Sequence, residues 1–171
     1  MDAFTSAFES YWSKDSEPVS DLLDLQVIRW FSNNLERSCN TTDLESRSWC
    51  SLAATMSGVA YSNTLPNVCH AIGSPLTLFW EVAHGQAVGI TLASMLRWTA
   101  PAISHKLSAL WDAMSVSGLD EATDRIVQIM DNCGLKTRLS QLGIQSDGIE
   151  TLVEHTRWDR VRVLPAPLGH D

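Results

Sequence analysis

Apolar residues recur at helical spacing along nearly the whole chain, and no stretch alternates in the manner of a half-buried strand. Residues 2–13 set Phe4, Ala7, Phe8 and Tyr11 on one stripe, which predicts an amphipathic helix. After a break at Ser16-Glu17-Pro18, Ser20 is the expected cap of a second helix running to about Ser38. Its apolar positions, from Leu22 to Leu35, cover more than one face and imply burial on two sides. Thr42 and Glu45 read as a capping box opening a third helix to about Tyr61, whose second half, Ala53 to Ala60, is rich in small residues that permit close packing. Asn63 to Pro66 starts a short helix that Gly73, Ser74 and Pro75 are expected to end. Ala83-His84-Gly85 leads into a helix through about Trp98, stopped by Pro101. Further helices fit 103–115, 120–133 and 146–158, with Asp120 and Ser146 or Asp147 as N-caps and Gly134 and Gly143 as C′ glycines. The expectation is an all-α fold, a compact bundle of about seven to eight helices spanning 1–160. Residues 161–171 are expected to form an extended or frayed tail.

The 171 residues make one domain, large enough to bury a core without staples. With 44% hydrophobic and 19% charged residues, the chain is not of the disordered class. No apolar run reaches membrane-spanning length, and the start MDAFTSAFES lacks a basic segment followed by an apolar one. No membrane association and a cytoplasmic location are therefore expected. Lys plus Arg number 12 against 20 Asp plus Glu, a net charge of −8 that repels phosphate backbones, so no nucleic-acid partner is expected. Cys39, Cys50, Cys69 and Cys133 form no C-x-x-C pair and read as four buried or half-buried thiols in a reducing compartment.

Candidate chemistry centres on His70 and His84. On one unbroken helix, fourteen residues would separate them by about 21 Å, too far to share an ion. A chain break at Gly73-Ser74-Pro75 would let them fold back toward each other, and His84-Gly85 at a helix start exposes a side chain to a cleft. Two histidines with a carboxylate and an open coordination position make a catalytic divalent-metal site. On spacing alone, two unrelated histidines, one packed and one capping, account for them better. His105, His155 and His170 read as surface or partly buried side chains. Asp2, from its position alone, is a helix N-cap.

The segments Gly58-Val-Ala-Tyr-Ser-Asn63, His70-Ala-Ile-Gly-Ser-Pro-Leu76 and His84-Gly-Gln-Ala87, with the opening Met1 to Ser10, resemble the iron-containing (group III) alcohol dehydrogenase family, in order and spacing. Pro18-Val-Ser-Asp21 and Leu139-Ser-Gln-Leu-Gly143 fit its later helices, so the similarity runs from Met1 to Trp158. The wording from Ala71 to Thr77 is most similar to the phosphonoacetaldehyde-reductase-like branch. The resemblance implies the family's C-terminal helical domain, which holds Fe²⁺ or Zn²⁺ as a Lewis acid while hydride passes to or from NAD(P) on a separate Rossmann-like domain. It places Asp2, His70 and His84 on metal-ligand positions. Ser6 stands where the alcohol dehydrogenases carry a further ligand histidine, and Ser74 where many carry a substrate-side histidine, leaving Ser74 as a candidate pocket-lining residue.

No G-x-G-x-x-G occurs among the nine glycines, so nothing in these residues binds NAD(P), which would be held only through a missing or partner domain. The leading expectation is the metal-binding domain of an alcohol dehydrogenase-like oxidoreductase acting on a small-molecule substrate with a nucleotide-binding partner chain. One alternative is a stand-alone metal-dependent lyase, isomerase or hydrolase on the same scaffold. Another is a non-catalytic interaction domain with a decayed site. Each implies exposed apolar surface and a homo- or hetero-oligomer.

Overall fold

The computed structural model describes residues 1–168. Among them there is no strand, and nine α-helices form the bundle: α1 (Asp2–Trp12), α2 (Pro18–Asn40), α3 (Leu44–Thr64), α4 (Val68–Trp80), α5 (His84–Gly89), α6 (Leu92–Thr99), α7 (Leu107–Met114), α8 (Leu119–Asn132) and α9 (Ser146–Glu154). Three 3₁₀ segments, Ala100–Lys106, Leu139–Leu142 and Trp158–Val163, join or follow them. No helix is long and apolar enough to cross a membrane.

α1 is the axis of the bundle. Every residue from Phe4 to Trp12 is buried, because α2, α3, α4, α5 and α6 all pack around it. Phe4 and Phe8 meet edge to face at 5.1 Å, and Phe4 meets Phe31 of α2 at 5.7 Å. The apolar stripe read from the sequence is present, but the opposite side of α1, with Ser6, Glu9 and Ser10, is buried as well. A smaller apolar cluster, with Leu76, Val82, Ala87, Ile144 and Leu152, fastens α9 to α4 and α5.

Several boundaries differ from those the sequence predicts. α2 begins at Pro18, whose missing N–H is harmless in a first turn, and the Ser20 hydroxyl accepts from the Glu17 N–H at 2.9 Å. Asp43, not Thr42, caps α3, its carboxylate accepting from the Ser46 N–H at 2.8 Å. The expected helix from Gly85 to Trp98 is broken around Ile90 and Thr91. Gly118 rather than Asp120 caps α8. Gly134 and Gly143 adopt positive φ, +74° and +77°, as C′ glycines do.

The largest correction concerns α4, which runs straight through Gly73, Ser74 and Pro75. Proline lacks the N–H that the Ala71 carbonyl would receive, which ordinarily breaks a helix. Here the backbone N–H of Arg157 donates to the Ala71 carbonyl at 3.3 Å instead. That contact pins the C-terminal segment against α4. The tail expected from 161 to be extended or frayed continues a 3₁₀ turn to Val163 and is non-helical beyond it. It is packed rather than frayed at least through Ala166, with Val161, Val163, Leu164 and Ala166 buried and the Lys14 N–H donating to the Val163 carbonyl at 2.8 Å. The rest of that tail, 169–171 with His170, lies outside the described residues. His105 and His155 are exposed, and of the four free thiols Cys39 is exposed rather than buried or half-buried.

The start of α2 is tied to the end of α1 by Lys106, whose ammonium donates to the Tyr11 carbonyl at 2.8 Å and pairs with Asp21 at 2.7 Å. One helical turn on, Asp24 is fully buried. Burial lifts its carboxyl to about 8, the Asp21 charge adding to the rise while the Ser10 hydroxyl and Lys106 oppose it. The unfolded chain releases this proton near 3.8 and the folded chain only near 8, so unfolding is favoured as pH rises across that window. Stability should fall by about 1.4 kcal/mol per pH unit on this account. Urea denaturation between about pH 5 and pH 6, below the range in which His70 adds a slope of the same sign, tests it: the slope should be present in the parent chain and flattened in Asp24→Asn.

Candidate metal centre

Asp2, Ser6 and Glu9 follow one another at i, i+4 and i+7 along α1 and so share one side of it. That side faces the N-terminal turn of α4, which carries His70, and the first residue of α5, which is His84. The reversal that brings the histidines together is not at Gly73–Pro75. It occurs at Glu81, in the left-handed region with φ 53°, followed by Val82 and Ala83.

Two glycines let the elements close. A Cβ on Gly85 would lie 3.3 Å from the Asp2 backbone nitrogen, so glycine permits the start of α5 to abut the start of α1. A Cβ on Gly73 would lie 2.8 Å from Val88 Cγ1 and 3.1 Å from the Ala87 backbone, so glycine likewise permits α4 and α5 to touch.

The three residues singled out from the sequence as ligands converge. Asp2 Oδ1 lies 3.2 Å from His70 Nε2 and 3.9 Å from His84 Nε2, and one ligand atom from each residue falls within 4.8 Å of the others. The imidazole centroids are 5.4 Å apart. A tetrahedral ion with bonds of about 2.0–2.1 Å separates its ligand atoms by about 3.4 Å. The observed spacings bracket that value, and a hard carboxylate with two imidazoles is a donor set for a first-row divalent ion. The residues fit such an ion.

Beside the triad opens a cavity of about 340 Å³, walled by Ala54, Ser57 and Gly58 of α3 and by Tyr61. The small side chains keep this mouth wide, while the Ser57 hydroxyl donates to the Ala3 carbonyl at 2.8 Å and holds α3 to α1. His70 is sealed, with 6% of its side chain exposed, whereas Asp2 and His84 show 52% and 48% to the mouth. Ser6 sits under Asp2 with its hydroxyl 3.5 Å from Asp2 Oδ1, too long to be more than a weak contact. Ser74 does not line the cavity; its hydroxyl donates to the His70 carbonyl at 2.7 Å one turn back.

Electrostatics follow from this placement. Burial disfavours charge on His70, but its hydrogen bonds to Asp2 and Glu9 outweigh that and raise it to about 9. The hydrogen bond from His70 likewise holds Asp2 below the usual carboxylate range despite partial burial, helped by the charges of His70 and His84. Burial pushes the Tyr61 phenol up, with the Glu9 and Asp2 carboxylates adding, so it stays a neutral O–H donor beside the site. Glu9 and Tyr61 were not singled out from the sequence. Glu9 was legible as the third member of the polar stripe on α1, whereas Tyr61 stood inside the segment Gly58 to Asn63 that carries the resemblance and was given no role.

The sequence profile described as "Fe-containing alcohol dehydrogenase family, C-terminal" matches residues 1–165. The chain belongs to this family. Among curated relatives, the 1,3-propanediol dehydrogenase of Klebsiella pneumoniae is 27% identical over 163 residues, covering 90% of this chain and 42% of that protein. Alcohol dehydrogenase 4 of Schizosaccharomyces pombe is 28% identical over 167 residues, covering 93% of this chain and 39% of that protein. The chain thus spans well under half the length of these relatives. Among solved structures, a 1,3-propanediol oxidoreductase superposes with a TM-score of 0.91 at 26% identity, over 99% of this chain and 47% of that one. The sulfoacetaldehyde reductase from Bifidobacterium kashiwanohense, solved in complex with NAD⁺, shares the fold with a TM-score of 0.92 at 23% identity, over 99% of this chain and 46% of that one. Within this iron-containing alcohol dehydrogenase family the chain is the all-α C-terminal part.

Because α4 and α5 touch at Gly73, Gly73→Ala should push α5 and His84 away from His70. The expected loss is about 1–3 kcal/mol of stability from overpacking, together with weaker divalent-metal binding. Thermal unfolding and Zn²⁺ titration of the same variant check both effects.

Proposed function

We propose that this chain is the metal-holding half of an iron-type alcohol dehydrogenase-like oxidoreductase that interconverts an aldehyde and an alcohol. The observation that carries the reading is the convergence of a carboxylate and two imidazoles, from positions 2, 70 and 84, beside an open cavity. Such a site, loaded with Fe²⁺ or Zn²⁺, supplies Lewis acidity toward a carbonyl or hydroxyl group, the polarisation that hydride transfer requires.

The chain's own residues divide the remaining work. Asp2, His70 and His84 bind the ion from one side and leave its other side to the mouth. Ala54 and Gly58 leave room there for a small substrate, and the Tyr61 hydroxyl offers it a hydrogen-bond donor. With serine at position 6 in place of a further histidine, the protein supplies three ligands, which suffices for a catalytic site completed by solvent or substrate.

The nicotinamide is held by a nucleotide-binding domain outside these 171 residues, whether on the same polypeptide or on a partner chain. Exposed apolar side chains such as Trp49, Leu52 and Val59 on α3 and Leu78 on α4 support an assembly larger than this domain alone.

Elemental analysis of the purified chain tests the reading. After anaerobic loading with Fe²⁺ or Zn²⁺ it should retain about one equivalent of metal, and the His70→Ala/His84→Ala double variant should retain none. A folded parent chain that takes up neither ion would overturn the proposal.

A further inference from the structure

Glu9 is fully buried, and its two oxygens have separate tasks. Oε1 accepts from the backbone N–H groups of Cys69 and of His70, the latter at 3.3 Å. Oε2 accepts from the Asn67 N–H at 3.3 Å and lies 2.5 Å from His70 Nδ1. The first contact set caps the N-terminus of α4 from another helix, where the partial positive charge of the helix end favours an anion. The second grips the imidazole on the side opposite the metal-facing atom.

We infer that Glu9 is the positioning residue of the metal centre: held by the backbone of α4, its carboxylate fixes the ring orientation and tautomer of His70, so that Nε2 is the nitrogen offered to the ion beside Asp2 and His84. The inference rests on the metal reading above and assigns it a partner that the ligand positions do not include. A neutral His70 has one proton for two carboxylates that only accept, and the Glu9 contact at 2.5 Å is shorter than the Asp2 contact at 3.2 Å, so the proton goes to Nδ1 and, once an ion takes up Asp2, the Nε2 lone pair is free for it. The Tyr61 ring, 5.5 Å from the His70 ring, and the His84 ring at 5.4 Å flank the imidazole and restrict its rotation. Partners of this kind tune affinity at metal-binding histidines.

Glu9→Gln tests the assignment. Two N–H groups, those of Cys69 and His70, meet Oε1 and only that of Asn67 meets Oε2, so the new amide nitrogen falls at the Oε2 place, gives up the Asn67 contact and donates to His70 Nδ1. The proton of the neutral ring is then displaced to Nε2, the atom that must bind the ion. Zn²⁺ affinity, measured by competition with a chromophoric chelator, should fall about 10- to 100-fold in a variant that keeps its helical circular dichroism. Nitrogen-15 spectra of the metal-free chain at about pH 10, where the His70 ring is neutral, should show it changing from the Nδ1–H to the Nε2–H form. Asn67→Ala, which weakens the α4 cap but leaves the Glu9–His70 contact, should lower the melting temperature and leave the tautomer unchanged. A folded Glu9→Gln chain that binds Zn²⁺ within twofold of the parent would overturn the inference.

Should Glu9→Gln fail to fold, the Zn²⁺-loaded parent decides. Metal on Nε2 with a proton on Nδ1 supports the assignment, and metal on Nδ1 sinks it. Absence of Zn²⁺ uptake by the parent would instead fail the metal reading. The tautomer of the neutral ring in the metal-free chain then still tests Glu9, with Nδ1–H in its favour and Nε2–H against it.

Discussion

A carboxylate with no access to water costs several kcal/mol unless charge and hydrogen bonds compensate it, and Glu9 is such a group at the centre of this bundle. Its compensation comes from the first turn of α4 and from the His70 ring. Both partners lie about sixty residues further along the chain, so α1 and α4 must dock for Glu9 to be buried at all. Asn67 reinforces the junction by accepting from the Trp12 indole at 3.0 Å, accepting from the Val68 N–H and donating to the Glu9 carbonyl at 2.9 Å. The same contacts that cap α4 therefore set where His70 stands. The position of the candidate metal centre follows from the way a buried charge is accommodated.

Asp2 and His84 depend on that junction less directly. Asp2 lies two turns before Glu9 on the same side of α1, and Gly85 lets the start of α5 come against it. α5 is in turn held to α4 through the contact that Gly73 permits with Ala87 and Val88. Of the candidate ligands, the sealed His70 belongs to the core, while the half-exposed Asp2 and His84 belong to the mouth. This division suits a centre that is rigid on the protein side and open on the substrate side.

The all-helical class was legible because periodicity survives in nearly every segment, and the three candidate ligands that the structure brings together were legible because three motifs keep family order and spacing. What periodicity could not show was where the chain turns between the histidines. Gly73, Ser74 and Pro75 form a strong local stop signal, yet α4 passes through it because Arg157, eighty-two residues after Pro75, supplies the hydrogen bond that proline cannot. The actual turn, at Glu81, carries no glycine or proline to announce it. α1 shows the converse problem: a one-sided apolar stripe predicted an amphipathic helix, but the polar side is buried too, because Ser6 and Glu9 face the site rather than solvent. The packed C-terminal segment was hidden for the same reason as the uninterrupted α4, since both depend on long-range contacts, of Arg157 with Ala71 and of Lys14 with Val163.

The account makes the metal centre a product of α1, α4 and α5 together, and the anomalous scattering of a Zn²⁺-loaded crystal tests this most directly. The expected result is a single peak about 2.0–2.2 Å from an Asp2 oxygen, His70 Nε2 and His84 Nε2, with His70 Nδ1 still against Glu9. A peak confined to the cysteine thiols or to surface carboxylates, with the Asp2–His70 contact intact and no density between the two histidines, would contradict it.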